Sequence, residues 1–512
     1  MSPHSISKLP TEILFHIAQD IEHQSHRLHL ALCSHAFADL FLPFVYQDIE
    51  LSNFDTNTIN TPNTLIALVQ TLLRNPRLAS CTQTLGLNSW STELNYEGNS
   101  YEPPETLPSP NLELAFDPDL IRDAVQMLFT SSDAHFLSKF MAHLSAGNED
   151  AWIGLLLFTV PNLKDLSMSV PYGTFFSRRL VERAAARLPP FDSRPALTRL
   201  SHLFVKWYDT VGSLESSVVE PFFFFPSMRR VVGEQISDNP PTYEDEEPDA
   251  LVDGRAAYLK NKPTISTVTE IYFSKSSTDN GMIAQIKFCK NLKSFKFEHA
   301  DCFEYDSSFL PEDFARSLAQ VKHSLENLCL TYDNQSFNGQ DYEGEDEVFG
   351  SLAEYPVLKS LYIAAENLVG SDALFNPDDA ILNFADHQRL TRILPTSIES
   401  LTLANVLKSY FPGILLQLKN LVEPSNFSRY TPRLTVLKIE GEFSISDEPN
   451  QPGIMMTLDG PEPVIPPEIL DQAEGLQDLC AQVGVVFELV DTHIIQFRQL
   501  KDEWRKSKAA VN

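Results

Sequence analysis

Residues 356–363 read PVLKSLYI, and four other stretches repeat their logic: KNLKSFKF at 290–297, HSLENLCL at 323–330, TSIESLTL at 396–403 and PRLTVLKI at 432–439. Each carries apolar side chains in the order apolar-x-x-apolar-x-apolar, as in Leu358, Leu361 and Ile363. The last two alternate with polar neighbours, which is the period of a strand with one buried face. Earlier copies are Leu163/Leu166/Met168, Leu200/Leu203/Val205 and Val268/Ile271/Phe273, with weaker ones at Leu85/Leu87 and Met228/Val231. Successive copies begin 37, 68, 24, 33, 33, 40 and 36 residues apart, and the gap of 68 splits into 28 and 40 when Met228 is counted.

Between copies lie stretches of helical character: 178–188, 282–289, 313–323, 346–355 and 379–394. A strand followed by a helix, repeated, predicts an α/β class chain in which parallel strands stack side by side with helices behind. No unit of this size buries its apolar face alone, so stacking must hold the array together. The pattern resembles leucine-rich repeats of an irregular kind. The family's turn asparagine is absent: its places hold Pro171, Tyr208, Ser276, Ala300, Asp333, Glu366, Val406 and Glu442. An ordinary α/β domain with buried strands is the alternative. At the end of the chain, 469–483 predicts a helix, 485–490 a strand, and 494–508 a charged helix that could cover the last edge. Acidic or proline-rich stretches at 95–111, 238–249, 338–347 and 446–467 predict surface loops.

In a solenoid the outward strand residues form the natural binding face, and aromatic side chains on it make strong anchors. The candidates for holding a protein target are Phe204, Lys206, Tyr272, Lys296, Tyr362 and Lys438, with His202, Glu270, Glu298 and Glu440 around them.

The first fifty residues differ. Leu9, Ile13, Leu14, Ile17 and Ile21 recur at helical spacing, Pro10 suits a first helical turn, and Leu28, Leu32 and Leu40 continue in a second run. Two or three short helices cannot bury so much apolar surface among themselves, so another element or another protein must cover some of it. Leu9-Pro10-x-Glu12-Ile13-Leu14-x-x-Ile17, then Leu32-Cys33-Ser34, Phe37, Leu40 and Pro43-Phe44-Val45-Tyr46-x-x-Ile49 resemble the F-box of fungal F-box proteins. The resemblance implies a domain at 1–50 that docks a Skp-type adaptor, and through it a cullin, with 51–512 as the solenoid. It assigns adaptor contact to Leu9, Pro10, Ile13, Leu14, Ile17, Leu32 and Cys33. The implied role is substrate recognition in an SCF-type ubiquitin ligase; a non-ligase scaffold with a degenerate F-box is the alternative, and a cap on the solenoid is what the helices would be without any partner.

Composition narrows the remaining classes. With 39 Lys+Arg against 69 Asp+Glu, the formal charge of −30 disfavours nucleic acid and anionic membranes as partners. Six cysteines (Cys33, Cys81, Cys289, Cys302, Cys329 and Cys480) form no CxxC pair, which predicts reduced thiols in the cytoplasm or nucleus. The apolar stretches at 152–160 and 222–225 are too short to span a bilayer, and the first residues do not suit a signal peptide. No phosphate-binding glycine loop, nucleophile elbow or HExxH motif occurs, so neither catalysis nor a cofactor is expected. His23-x-x-His26-x-x-His29 is the one metal-like spacing, and it reads better as solvated histidines beside an inter-helix turn.

Overall fold

The computed structural model describes residues 9–21, 23–51, 62–92, 108–111, 114–238, 255–300, 309–332, 348–370, 374, 389–444 and 462–511. The expected loops at 338–347, and most of those at 95–111, 238–249 and 446–467, lie outside these residues. The chain divides into two compact units, Met1–Ile236 with Pro240–Val268 and Ser237–Asn239 with Thr269–Asn512.

The first unit opens with three helices, α1 (Thr11–Asp20), α2 (Gln24–Ala31) and α3 (His35–Val45). Pro10 precedes α1 with φ −54°, and the Ser34 hydroxyl caps α3 by accepting from the Phe37 N–H at 3.2 Å. Leu14, Ala18, Ala31, Phe37, Phe41 and Phe44 make the core of this bundle, with Ile17, Ile21, Leu30, Leu40 and Leu42 packed around it. Arg27 staples it by donating to the carbonyls of Ile21 at 2.8 Å and Phe44 at 3.2 Å. The boundary expected after residue 50 falls inside a strand, because Asp48–Leu51 already pairs with Thr84–Leu87. The alternation continuing through Asp48, Ile49 and Glu50 is that of the sheet.

Five parallel strands follow in order: β1 (Asp48–Leu51), β2 (Thr84–Leu87), β3 (Asp165–Val170), β4 (His202–Trp207) and β5 (Arg230–Glu234). They stand in unshifted register, so Ile49, Leu85, Leu166, Leu203 and Val231 form one buried row. The second unit stacks seven: β6 (Glu270–Ser276), β7 (Ser294–His299), β8 (Asn327–Tyr332), β9 (Ser360–Ala364), β10 (Ser400–Val406), β11 (Val436–Gly441) and β12 (Val486–Asp491). Here Ile271, Phe295, Leu328, Leu361, Leu401 and Leu437 align, and each is at most 1% exposed.

The same two backbone devices recur in both units. The leading apolar residue of a repeat closes a tight turn through an N–H to the carbonyl three residues back, as in Leu163 to Val160, Leu200 to Leu197, Leu292 to Cys289, Leu358 to Tyr355 and Leu434 to Thr431. Two successive N–H groups at the strand entry then share one carbonyl of the preceding repeat. Lys164 and Asp165 donate to Gln83, Ser201 and His202 to Lys164, and Arg229 and Arg230 to Ser201, at 2.8–3.1 Å. In the second unit Glu326 and Asn327 donate to Lys293, Lys359 and Ser360 to Glu326, and Glu399 and Ser400 to Lys359, at 2.7–3.1 Å.

The helical stretches are shorter than the periodicity predicts. Phe176–Ala185 is a helix, Pro311–Leu318 is continued by a 3-10 turn at Ala319–Val321, and only Ile283–Ile286 is helical in 282–289. Of 379–394, residues 379–388 lie outside the description and Leu390–Ile393 is one turn. The described part of 346–355 is not helical at all. Gly350 there adopts φ +87°, and the N–H groups of Phe349 and Leu352 bond outward to Asn367 and Ile393 instead of within a helix. The buried spacing of Phe349, Leu352 and Tyr355 comes from an irregular segment pinned at both ends. Helix Pro467–Val483 and β12 match expectation, and Thr492–Val511 forms the final helix. The Phe222–Phe225 run is core, each ring at most 8% exposed.

At other places in the repeats, aspartate side chains collect backbone N–H groups. Asp150, 1% exposed, accepts from the N–H groups of Phe175 (2.8 Å), Phe176 (2.6 Å) and Ser177 (3.1 Å) and from the Ser177 hydroxyl, capping helix Phe176–Ala185. Burial pushes its carboxyl pKa up while these donors pull it down, and the net direction is upward. Asp491 likewise accepts from Phe443, Ser444 and Ile494, and Asp238 from Asp279 and Met282.

Two predictions follow from these buried groups. Asp150→Ala strands three backbone donors and should lower stability by about 2–4 kcal/mol, with Asp150→Asn losing less, measured as the shift in urea midpoint. His143 is 1% exposed, packs 4.6 Å from the Phe176 ring, and takes the Asn148 amide at Nδ1 (3.0 Å). Burial, then Lys139, lowers its pKa to about 4. An unfolded histidine titrates near ~6.5, so the unfolded state binds the proton first as pH falls. The stability due to neutral His143 is therefore complete above pH ~6.5 and drains away toward pH ~4. Between pH 7 and 5 the wild type should lose about 2 kcal/mol more than His143→Gln.

Candidate functional site

The helical bundle fills its own core and still leaves apolar side chains facing out. Leu9 is 40% exposed, Ile13 46%, Leu28 41% and Leu32 75%. Within α1, Ile13 faces out whereas Leu14 and Ala18, one turn apart, enter the bundle's core; Leu9 stands just before α1 and Leu32 caps the C-terminus of α2. Pro10 and Cys33 are exposed and Ile17 is half-buried. Leu14, expected among the contact residues, is 7% exposed and spent on the bundle's core beside Phe37, Phe41 and Phe44. Phe15, absent from that expectation, is 45% exposed and edges against Phe44 at 4.9 Å. His23, His26 and His29 line a shallow open depression with Asp20, Ile21 and Leu30. Among the described residues no group of three His, Cys, Asp or Glu is placed to hold a metal ion.

The strand-face candidates separate by unit. In the first, Phe204 is half-buried in a row with Glu50, Gly86, Ser167 and Val232, and Lys206 stands two positions on, beside Ser169 and Glu234. β4 then runs into a loop whose aromatic residues the strand pattern does not reveal. Trp207 donates its indole N–H to the Val211 carbonyl at 2.8 Å, and Tyr208 and Val211 are 51% and 49% exposed.

In the second unit Tyr272, Lys296, Cys329, Tyr362, Thr402 and Lys438 occupy one row across six strands, at the ~4.8 Å spacing of a sheet. They are tied to one another. The Lys296 ammonium sits 4.3 Å from the Tyr272 ring centroid. The Tyr362 hydroxyl donates to Glu440, which also pairs with Lys438 at 2.5 Å. Burial, then the Glu440 carboxylate, raises the Tyr362 pKa; burial pushes the Cys329 thiol up to about 11 despite Lys296. Burial opposes the Lys296 charge, but Tyr272, Cys329 and Glu298 around it together outweigh burial and raise its pKa. The result is a protonated thiol, a neutral phenol and a charged ammonium tied to one another across the row.

Among the described residues no helix is long and apolar enough to cross a membrane. No curated protein matches the chain. The sequence model of the leucine-rich repeat domain matches residues 58–448, beginning after the helical bundle, and this family points to interaction with protein partners. Spanning most of the 512 residues, and agreeing with the stacked strands and the apolar-x-x-apolar-x-apolar rows, that match means that the chain belongs to the leucine-rich repeat domain family.

Proposed function

We propose that this protein is the substrate-recognition subunit of an SCF-type ubiquitin ligase. The helical bundle at 9–50 docks a Skp-type adaptor, which brings a cullin, and the repeat domain holds a protein target. The observation that supports this is the surplus of apolar surface at α1 and α2: Ile13 and Leu28 on the helices, Leu9 just before α1 and Leu32 at the end of α2 stay in solvent while Leu14, Ala18, Phe37, Phe41 and Phe44 fill the bundle's core. Covering such side chains with a partner is worth about 1.5–3 kcal/mol each when burial is full. The F-box resemblance of Leu9-Pro10-x-Glu12-Ile13 and Leu32-Cys33-Ser34 names the partner. The protein then supplies proximity between target and ubiquitin-loaded machinery, not bond chemistry of its own. Its place of work is the cytoplasm, the nucleus or both.

The test exploits the difference between neighbouring residues. Adaptor and cullin should co-purify with the wild type. Ile13→Glu with Leu32→Glu should abolish that capture and leave the melting temperature nearly unchanged. Leu14→Ala should lower stability by about 2–4 kcal/mol, as a core truncation does. If adaptor and cullin fail to co-purify with the wild type, or persist with the double variant, the ligase role is lost and a scaffold role replaces it.

A further inference from the structure

The second unit ends in a strand with one side open. β12 pairs with β11 in unshifted register, and among the described residues no strand lies beyond it. The Val486 N–H donates to the Thr435 carbonyl at 2.8 Å. Alternate residues of a parallel ladder serve opposite sides, so Val486, Glu488 and Val490 turn their main chain to β11. The N–H and C=O groups of Phe487 and Leu489 therefore face the open edge, where they are free to bond another strand. Prolines, lysines and bulges commonly blunt such edges, and β12 carries none of them. At the first strand of the other unit the helical bundle closes in instead. There the Gln24 amide donates to the Asp48 carbonyl at 2.8 Å, and Ile49 is 7% exposed.

The apolar layer is unfinished at the same edge. On β6 to β11 the two inward positions of each strand, from Ile271 and Phe273 to Leu437 and Ile439, are at most 2% exposed. Their counterparts on β12, Phe487 and Leu489, are only half-buried, although the final helix follows directly. Leu470 adds to this surface at 49% exposed. Its helix, Pro467–Val483, buries Ile469, Ala473, Leu476 and Cys480, while Lys408 and Lys419 reach Glu468 and Gly475 on one flank. By helical angle Leu470 lies on the other flank, where a following repeat would stack. Charge then selects the occupant. Residues 467–491 hold six acidic side chains and no Lys, Arg or His. Glu468 is paired with Lys408 and Asp491 is spent on backbone N–H groups, which leaves Asp471, Glu474, Asp478 and Glu488 exposed. Lys438 stands beside Glu488 in register but is paired with Glu440 at 2.5 Å. On the final helix Arg498 is paired with Glu462, and Arg505 with Asp502. A second copy of the chain fits this edge poorly, since pairing β12 with itself about its middle sets Glu488 against Glu488.

We propose that the open edge of β12 takes up an extended, basic segment of a protein partner as a further strand. Its main chain bonds Phe487 and Leu489, its inward apolar side chains cover those two residues and Leu470, and a Lys or Arg stands opposite Glu488. The site belongs to the last repeat and stands whether or not the helical bundle captures an adaptor. The probe is a random twelve-residue peptide library displayed on phage, panned against the full chain and, in parallel, against Glu488→Lys. Position 488 is exposed, so the melting temperature of that variant should match the wild type. The expected result is enrichment of peptides in which Lys or Arg alternates with aliphatic or aromatic residues. Synthetic versions should bind Glu488→Lys roughly ten-fold more weakly and with less salt dependence. Hydrogen exchange should show the Phe487 and Leu489 amides unprotected in the free chain and protected by the peptide. N-methylating the peptide at the alternate residues that face β12 should abolish binding, and N-methylating the other set should not. Enrichment of acidic peptides, no enrichment, equal binding by Glu488→Lys, or equal tolerance of both N-methylated sets overturns the proposal. Protection of the two amides that rises with protein concentration, without peptide, assigns the edge to a second copy and overturns it as well. Retention of adaptor by Glu488→Lys separates these outcomes from failure of the ligase role.

Discussion

The interaction on which everything else rests is the shared carbonyl at each strand entry. Two consecutive N–H groups converge on one oxygen of the preceding repeat, from Gln47 through Gln83, Lys164 and Ser201 in the first unit, and from Thr269 through Lys293, Glu326, Lys359 and Glu399 in the second. One acceptor with two lone pairs satisfies both donors, and it fixes the strand start relative to its neighbour. The start of each strand is therefore set by main chain. A slip of one residue would turn every core leucine outward, which the buried rows of each unit forbid. Because no side chain is needed for this purpose, the segment between strands is free to vary. Repeats can begin 24 residues apart or 40 apart without changing how one strand meets the next.

This separation of tasks explains what could be read in the sequence. The strands were legible because their code is local: Leu358, Leu361 and Ile363 carry both the turn and the two buried positions within six residues. The intervening helices were less so. In 346–355 apolar residues at three-residue spacing imitate a helix, and only contacts with Asn367 and Ile393 decide otherwise. The region 62–159 was harder still, since its helices Pro62–Arg74, Ala134–Ala146 and Glu149–Thr159 precede the first strong copy of the strand motif. On the bundle, Leu9 and Ile13 could be identified as a greasy stripe, but helical spacing did not separate them from Leu14, because both sets are apolar and only α3 distinguishes inside from outside. The loop after β4 carried no pattern at all. Its character comes from a hydrogen bond between Trp207 and Val211 and a left-handed Gly212.

The acidity of the chain has a structural side as well. Asp150 in one unit, and Asp238 and Asp491 in the other, place carboxylates where several backbone N–H groups converge. Each is a better acceptor than an amide, and each is partly or wholly withdrawn from water, so the gain in hydrogen bonding is set against desolvation. Asp133 shows the balance tipped the other way. Burial raises its pKa, but Arg183 bonded to both carboxylate oxygens at 2.9 and 2.8 Å, with Thr130, brings it below the ordinary value.

The strand faces of the two units offer a partner different terms. In the second unit the long side chains are already engaged, Tyr362 with Glu440, Glu440 with Lys438, and Lys296 with Tyr272. A ligand there must match those polar groups or break their pairs, and an unmatched buried charge costs more than the contact returns. In the first unit the bonds lie instead within the loop after β4, from the Trp207 indole N–H to the Val211 carbonyl and from the Thr210 N–H to Asp209. Large family-wide expectations about a repeat protein's strand face thus give way to a local criterion. A surface is ready for a partner where its groups have not yet satisfied one another and where its shape is already fixed. By that measure the polar row from Tyr272 to Lys438 is a layer already satisfied within the second unit, whereas Ile13 on α1 and Leu28 on α2 still face solvent.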